Sequence, residues 1–135
     1  MTSADTLTAT VRIAAPPTAV FPYLTDPALL AQWFGDATGT VPEPGGVFAL
    51  DIDGGGSSRG QFVTIDPPKR VVFTWGIPGS AVLQPGSTTV EIVLTPDGPD
   101  TIVELTHRDL PPTQLASHQS GWARLLDRLA HTATP

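Results

Sequence analysis

Cysteine is absent from the chain, and lysine, methionine and tyrosine occur once each, as Lys69, Met1 and Tyr23. Without cysteine there is no disulfide, no thiol nucleophile and no thiolate metal site. Charge is scarce as well: Asp, Glu, Lys and Arg make up 15% of 135 residues, and the formal net charge is −6. A surface so poor in basic residues suits neither nucleic acid nor anionic lipid headgroups, and the acidic balance reads as solubility. No apolar run approaches the ~20 residues that span a bilayer. The start, Met1-Thr2-Ser3-Ala4-Asp5, lacks the basic and apolar stretches of a signal peptide. Also missing are a G-x-x-x-x-G-K phosphate loop and a dinucleotide fingerprint. The expectation is a cytoplasmic protein with no nucleic-acid or membrane partner and no cofactor.

What is present is enough apolar material for a core, 40% of residues, in a length that suits one domain over 1–135. Fifteen prolines and thirteen glycines punctuate it. Leu7, Ala9, Val11 and Ile13 alternate with polar residues and predict a strand over Thr6 to Ala14. Pro16-Pro17 then opens a helix that Pro22 must shorten or kink. Asp26-Pro27 caps a second short helix carrying Leu29, Leu30 and Trp33, with Gly35 as its stop.

From Thr38 to Asp109 the period is two. Strands are expected over Val47 to Ile52, Gln61 to Ile65, Arg70 to Trp75, Thr88 to Thr95 and Thr101 to His107. Turns are expected at Asp53-Gly54-Gly55-Gly56-Ser57, at Asp66-Pro67-Pro68-Lys69 and at Asp97-Gly98-Pro99-Asp100. Setting Val90, Ile92 and Leu94 on one face with Val103, Leu105 and His107 keeps Glu91 from lying opposite Glu104, a destabilising like-charge pair. After Pro111-Pro112, Leu115, His118, Trp122, Leu125, Leu126 and Leu129 fall on one helical stripe opposite Arg124, Asp127 and Arg128. Strand, two short helices, a run of strands and one long helix make an α+β layout.

Four local signatures run through this order. They are Val11-x-Ile13-x-Ala15-Pro16 leading to Val20-Phe21; Thr25-Asp26-Pro27 through Leu30 to Trp33-Phe34-Gly35; Gly45-Gly46-x-Phe48 with Asp66-Pro67-Pro68-x-Arg70-Val71-Val72-Phe73-Thr74-Trp75; and Thr106-His107 with His118-x-x-Gly121-Trp122-x-x-x-Leu126-Asp127-x-Leu129. Together they resemble the START-like, or SRPBCC, superfamily. Within it they resemble bacterial single-domain proteins related to the activator of the heat-shock-chaperone ATPase, of the C-terminal-domain type. Pro22 and Gly54-Gly55-Gly56 depart from the usual pattern and bear on the pocket mouth.

The resemblance implies a helix-grip fold: a curved antiparallel sheet around the C-terminal helix, with a cavity between them. The implied pocket residues are Trp33, Phe48, Leu50, Phe62, Phe73, Trp75, Ile92, Val103, Leu105, His107, Leu115, His118 and Trp122, with Tyr23 and Arg59 able to supply polar contacts at the mouth. Such folds host lipid and polyketide binders, cyclases and interaction modules, so function does not follow from fold. Several of them pair into dimers; no motif here marks an interface, and a homodimer stays open.

His107 shares parity with Val103 and Leu105, and His118 lies on the apolar stripe, so both can face the pocket and bond a ligand or move a proton. The plainer reading is a core histidine satisfied by the protein. Gly56-Ser57-Ser58-Arg59-Gly60 matches G-x-S-x-G by letter, but a nucleophile elbow needs a strand before and a helix after. His107-x-Asp109 with His118 has no diagnostic metal spacing. No catalytic residue and no metal ligand is assigned. The leading expectation is a binder of a small, largely apolar molecule. A cyclase- or hydrolase-like enzyme using the same pocket and a co-chaperone-like interaction module are the alternatives.

Overall fold

Alternating residues form β1, Leu7–Ile13, in the computed structural model, which describes residues 6–52 and 56–135. Residues 1–5 and the 53–55 part of the expected turn lie outside the described residues. Proline sets the next turns. Helix α1, Pro17–Val20, starts on Pro17 and gives way at Pro22 to a 3-10 turn, Phe21–Leu24, because proline has no N–H to continue the α pattern. Helix α2, Pro27–Leu30, begins where the Asp26 carboxylate accepts from the Ala28 N–H.

Strands β2 (Val47–Ile52), β3 (Gly56–Asp66), β4 (Arg70–Trp75), β5 (Thr88–Asp97) and β6 (Asp100–Arg108) follow, then a 3-10 turn over Pro112–Gln114 and helix α3, Leu115–Ala133. The sheet is antiparallel in the order β1-β6-β5-β4-β3-β2, with α3 packed on it. The fold class is therefore α+β and helix-grip-like.

Three strand boundaries in particular differ from expectation. β3 begins at Gly56 instead of Gln61, because Gly56–Gly60 pairs along β2 with Leu50 opposite Ser58 and Asp51 opposite Ser57. Glycine and serine there look like turn residues, and pairing overrides that preference. The G-x-S-x-G match thus lies inside a strand and forms no elbow. β5 and β6 each run further into their hairpin, leaving Gly98-Pro99 as the turn. The register is as expected: Val90 faces His107, Ile92 faces Leu105, Leu94 faces Val103, and Glu91 faces Thr106. Glu91 is instead bridged by Arg70 and Arg108 on the outer face, and these bonds hold its carboxyl below the usual range.

The core fills the space between the inner sheet face, the short helices and α3. Phe48 stacks on Phe73 at 4.0 Å between ring centroids, and Trp122, Leu125, Leu126 and Leu129 come down from α3. The free edge of β2 is covered by its own chain. Asp36 pairs with Asp51, the Val41 N–H donates to the Val47 carbonyl, and the Thr40 hydroxyl both donates to the Ala49 carbonyl and accepts from its N–H. A threonine side chain here does the work of a neighbouring strand.

β3 and β4 meet closely at Gly60, where a Cβ would stand 2.0 Å from the Thr74 carbonyl oxygen. Gly60→Ala is expected to lower stability by about 1–3 kcal/mol, the usual range for forcing an extra group into packed structure. A urea unfolding midpoint equal to that of the wild type would contradict this close approach.

Candidate functional site

One line of residues on α3 and the turn before it, spaced three and four apart, borders a cleft against the end of the sheet: Gln114, Ser117, His118, Gly121, Arg124 and Leu125. Such spacing keeps residues on one helix face. The sheet side is Trp75 at the end of β4, Ile77 just beyond it, Ile52 and Ser57; Trp122 closes the inner wall. The cleft is partly open and holds about 260 Å³. That lies just below the ~300 Å³ at which drug-sized pockets begin. Gly121 makes the notch, since a Cβ built on it meets nothing within 4 Å.

Of the residues expected to line a pocket, the structure brings Trp75, His118 and Trp122 together on the cleft. Trp33, Phe48, Leu50, Phe62, Phe73, Ile92, Val103 and Leu105 are sealed in the packed core instead. Leu115 is half-buried in the first turn of α3, against the core. Parity assigns all the sheet residues to the inner face correctly, but the inner face is mostly filled. Tyr23 is half-buried and offers its carbonyl to the Trp33 indole N–H at 2.8 Å. Arg59 bonds the carbonyls of Leu50 and Ser58 and pairs with Asp51, away from the cleft. Sequence reasoning misses Gln114, Ser117, Gly121 and Arg124 because polar residues and glycine on a helix read as its solvent side. Their three-and-four spacing beside the apolar stripe is the signal that could have marked them.

His107 is fully buried, and both its ring nitrogens are engaged. The Trp122 indole N–H donates to Nδ1 at 3.0 Å. Indole nitrogen only donates, so Nδ1 is the bare acceptor and the ring proton sits on Nε2. Nε2 then donates to the Thr88 hydroxyl at 2.9 Å, and that hydroxyl donates to the Trp75 carbonyl at 2.9 Å. A neutral imidazole satisfies every partner in this relay. Burial, and next the charge of nearby His118, push the His107 pKa down to about 3. With both nitrogens occupied, His107 has no free group to offer a molecule in the cleft.

His118 differs. It is half-buried, its Nδ1 is 2.9 Å from the Gln114 carbonyl, and burial lowers its pKa against the opposing effect of that bond. Nδ1 must carry the proton to bond a carbonyl, which leaves Nε2 as an uncommitted acceptor. The two imidazoles lie 5.4 Å apart between centroids, edge to face. Among the described residues, no three His, Asp or Glu side chains gather to hold a metal ion, and Asp109 lies apart in an exposed turn.

Two further polar atoms stand out. The Trp75 indole N–H and the Ser58 hydroxyl are closed off from solvent and find no hydrogen-bond partner among the described residues. Each such group costs about 1–3 kcal/mol. Aromatic rings surround them: Trp75 lies 5.0 Å from Trp122 and stacks on Phe34 at 5.9 Å.

Comparison with known proteins agrees with this architecture. The family model described as "Activator of Hsp90 ATPase homolog 1-like protein" matches residues 14–134. A Dictyostelium discoideum protein described as an activator of 90 kDa heat shock protein ATPase homolog is 34% identical over 92 residues, which are 67% of this chain and 23% of that one. The chain therefore spans under a quarter of that relative. The solution structure of an AHSA1-like protein from Rhizobium etli is 39% identical, covers 96% of this chain and 81% of its own, and superposes with a TM-score of 0.72. The Aha1 of Colwellia psychrerythraea, solved as a dimer, shares the fold at a TM-score of 0.81 with 19% identity over 95% of each chain. Among the described residues, no helix is long and apolar enough to cross a membrane.

The His107 relay sets a sign for pH dependence. The unfolded imidazole binds a proton near pH 6.5, whereas the folded one resists until about 3. Between these values the unfolded state holds more protons, so stability falls as pH falls. From pH 7 to pH 5 this loss is about 2 kcal/mol. His107→Gln, which cannot titrate, is expected to show a shallower fall than the wild type. Parallel slopes in urea titrations of the two proteins at pH 7, 6 and 5 would refute this assignment.

Proposed function

The chain belongs to the activator of Hsp90 ATPase homolog 1-like family, within the START-like superfamily, and on that premise we propose that it binds a small, largely apolar molecule in the cleft between α3 and the end of the sheet. The whole chain, 1–135, acts in this reading as one START-like domain. The observation that carries it is the cleft's composition. Two tryptophans with Ile52, Ile77 and Leu125 supply apolar walls, and a few polar groups sit where one end of a ligand would lie. That mixture is how small-molecule sites fix both affinity and orientation.

The division of labour follows from the geometry. Trp75 and Trp122 offer flat apolar surface whose position is set by the His107 relay. His118 Nε2 accepts a hydroxyl or amide proton from the ligand, while its other nitrogen is anchored on Gln114. Gln114, Ser117 and Arg124 form the polar rim. His107 acts as a positioning residue behind the wall. With one free imidazole nitrogen and, among the described residues, no second acid or base on the cleft, the arrangement favours binding over acid–base chemistry, which needs a partner to return the proton.

Native mass spectrometry of the purified protein, before and after mild organic extraction, tests this. The expected result is an extra mass that extraction removes. Gly121→Leu fills the notch from a helix position with room for it and replaces a poor helix former, so this variant should fold at least as stably and lose the extra mass. His118→Ala should fold and bind the extracted compound several-fold more weakly. A bare protein mass that no added apolar compound increases, or an unchanged adduct in Gly121→Leu, would overturn the assignment of the cleft.

A further inference from the structure

The pairing of β3 with β4 places the two unpartnered polar atoms on one floor. Arg59 N–H bonds the Gly76 carbonyl, which sets Ser58 beside Ile77 and makes it the diagonal neighbour of Trp75. Side chains in that relation, roughly 7–8 Å apart between backbones, come within reach of one another when one is aromatic. Both are buried on the inner face. Ile77 and Trp75 line the cleft, as does Ser57, next in chain to Ser58. The sheet end of the cleft therefore backs onto two hydrogen-bonding groups, at least one of which can only donate.

Buried donors are almost always satisfied in native proteins, and those that are not call for an occupant. Among the described residues none bonds them: the Trp75 carbonyl is taken by Thr88, His107 is taken by Trp122 and Thr88, and His118, whose ring lies 6.3 Å from that of Trp75, makes no bond to it. Phe34, Phe48, Phe73 and Trp122 are the other rings around Trp75.

We propose that the ligand of this cleft is a compact apolar carbonyl compound whose oxygen accepts from Trp75 Nε1–H and Ser58 Oγ–H. The inference rests on the binding reading above and gives it a chemical class. Both donors are shut from solvent in this structure, so uptake has to part the side chains that separate them from the cleft. One acceptor oxygen has two lone pairs and serves both donors. A hydrocarbon of the same shape fills the walls and leaves both donors unmet. The cleft's size suits a molecule of one or two rings.

A pair of near-isosteric probes separates the outcomes: 2-acetylnaphthalene, which carries the carbonyl, and 2-isopropylnaphthalene, which does not. Affinities are read by tryptophan fluorescence titration of the full chain and of its Ser58→Ala variant, a near-isosteric change, and its Trp75→Phe variant, which keeps one aromatic ring and loses the N–H. The ketone is expected to bind at least tenfold more tightly than the hydrocarbon to the wild type. Ser58→Ala should lose most of that preference while holding the hydrocarbon within about twofold; Trp75→Phe, which also removes wall surface, should weaken both probes and the ketone severalfold more. Equal affinity of the two probes would overturn the carbonyl assignment while leaving the apolar binding site intact, the donors then being met by trapped water. Variants that shift both probes alike would overturn it too. Failure of both probes to bind would overturn the carbonyl assignment together with the reading beneath it.

Discussion

A single chain of hydrogen bonds, from the Trp122 indole through His107 and Thr88 to the Trp75 carbonyl, ties α3 to the sheet. Apolar contacts alone would hold the helix against the strands but set its rotation only loosely, since they have little directionality. The relay is directional. Rotating α3 would strand an indole N–H and an imidazole nitrogen in an apolar interior, where leaving such groups unmet is costly. Both tryptophans that wall the cleft belong to it, one by its side chain and one by its carbonyl. The Trp122 ring and the Trp75 backbone are therefore held by polar groups lying behind the cleft wall, out of a ligand's reach. The same demand explains why the imidazole must remain neutral: a proton on Nδ1 would remove the acceptor that holds Trp122.

The short helices are built into this frame. Phe34 contacts Trp33, Phe48, Trp75 and Trp122, and so joins the segment after α2 to edge strand, centre and helix together. Gly35 lets that segment come down on β2, because a Cβ there would lie 2.5 Å from the Asp51 carbonyl oxygen. The Asp36–Asp51 bridge follows at once. The edge of the sheet, the short helices and the cleft wall consequently move as one body.

Much of this was legible in the sequence. β4 runs from Arg70 to Trp75 as its alternation indicates, and the β5–β6 register follows from keeping Glu91 away from Glu104. Pro22 and Asp26 marked the break and the restart of the helical segment. The first half of β3 was not legible, because the glycines and serines of Gly56–Gly60 gain their strand conformation from β2 and not from any preference of their own. The site was legible only in part. Alternation identifies which side chains face inward, yet whether an inward side chain meets a cavity or another side chain depends on how volumes fill the interior. Phe48 and Phe73, stacked on each other, and Trp75, bordering the cleft, follow the same pattern in the sequence. Only the stripe Gln114, Ser117, Gly121 and Arg124 carries the difference, as a polar row running beside an apolar one.

The threonine that closes β2 reaches beyond the monomer. A sheet grows from chain to chain through exposed strand edges, and growth without end requires two of them. Thr40, Asp36 and Val41 occupy one edge, so strand addition at β2 is closed. Open-ended stacking through this edge, the kind that leads to fibres, is thereby blocked by one hydroxyl group and its neighbours.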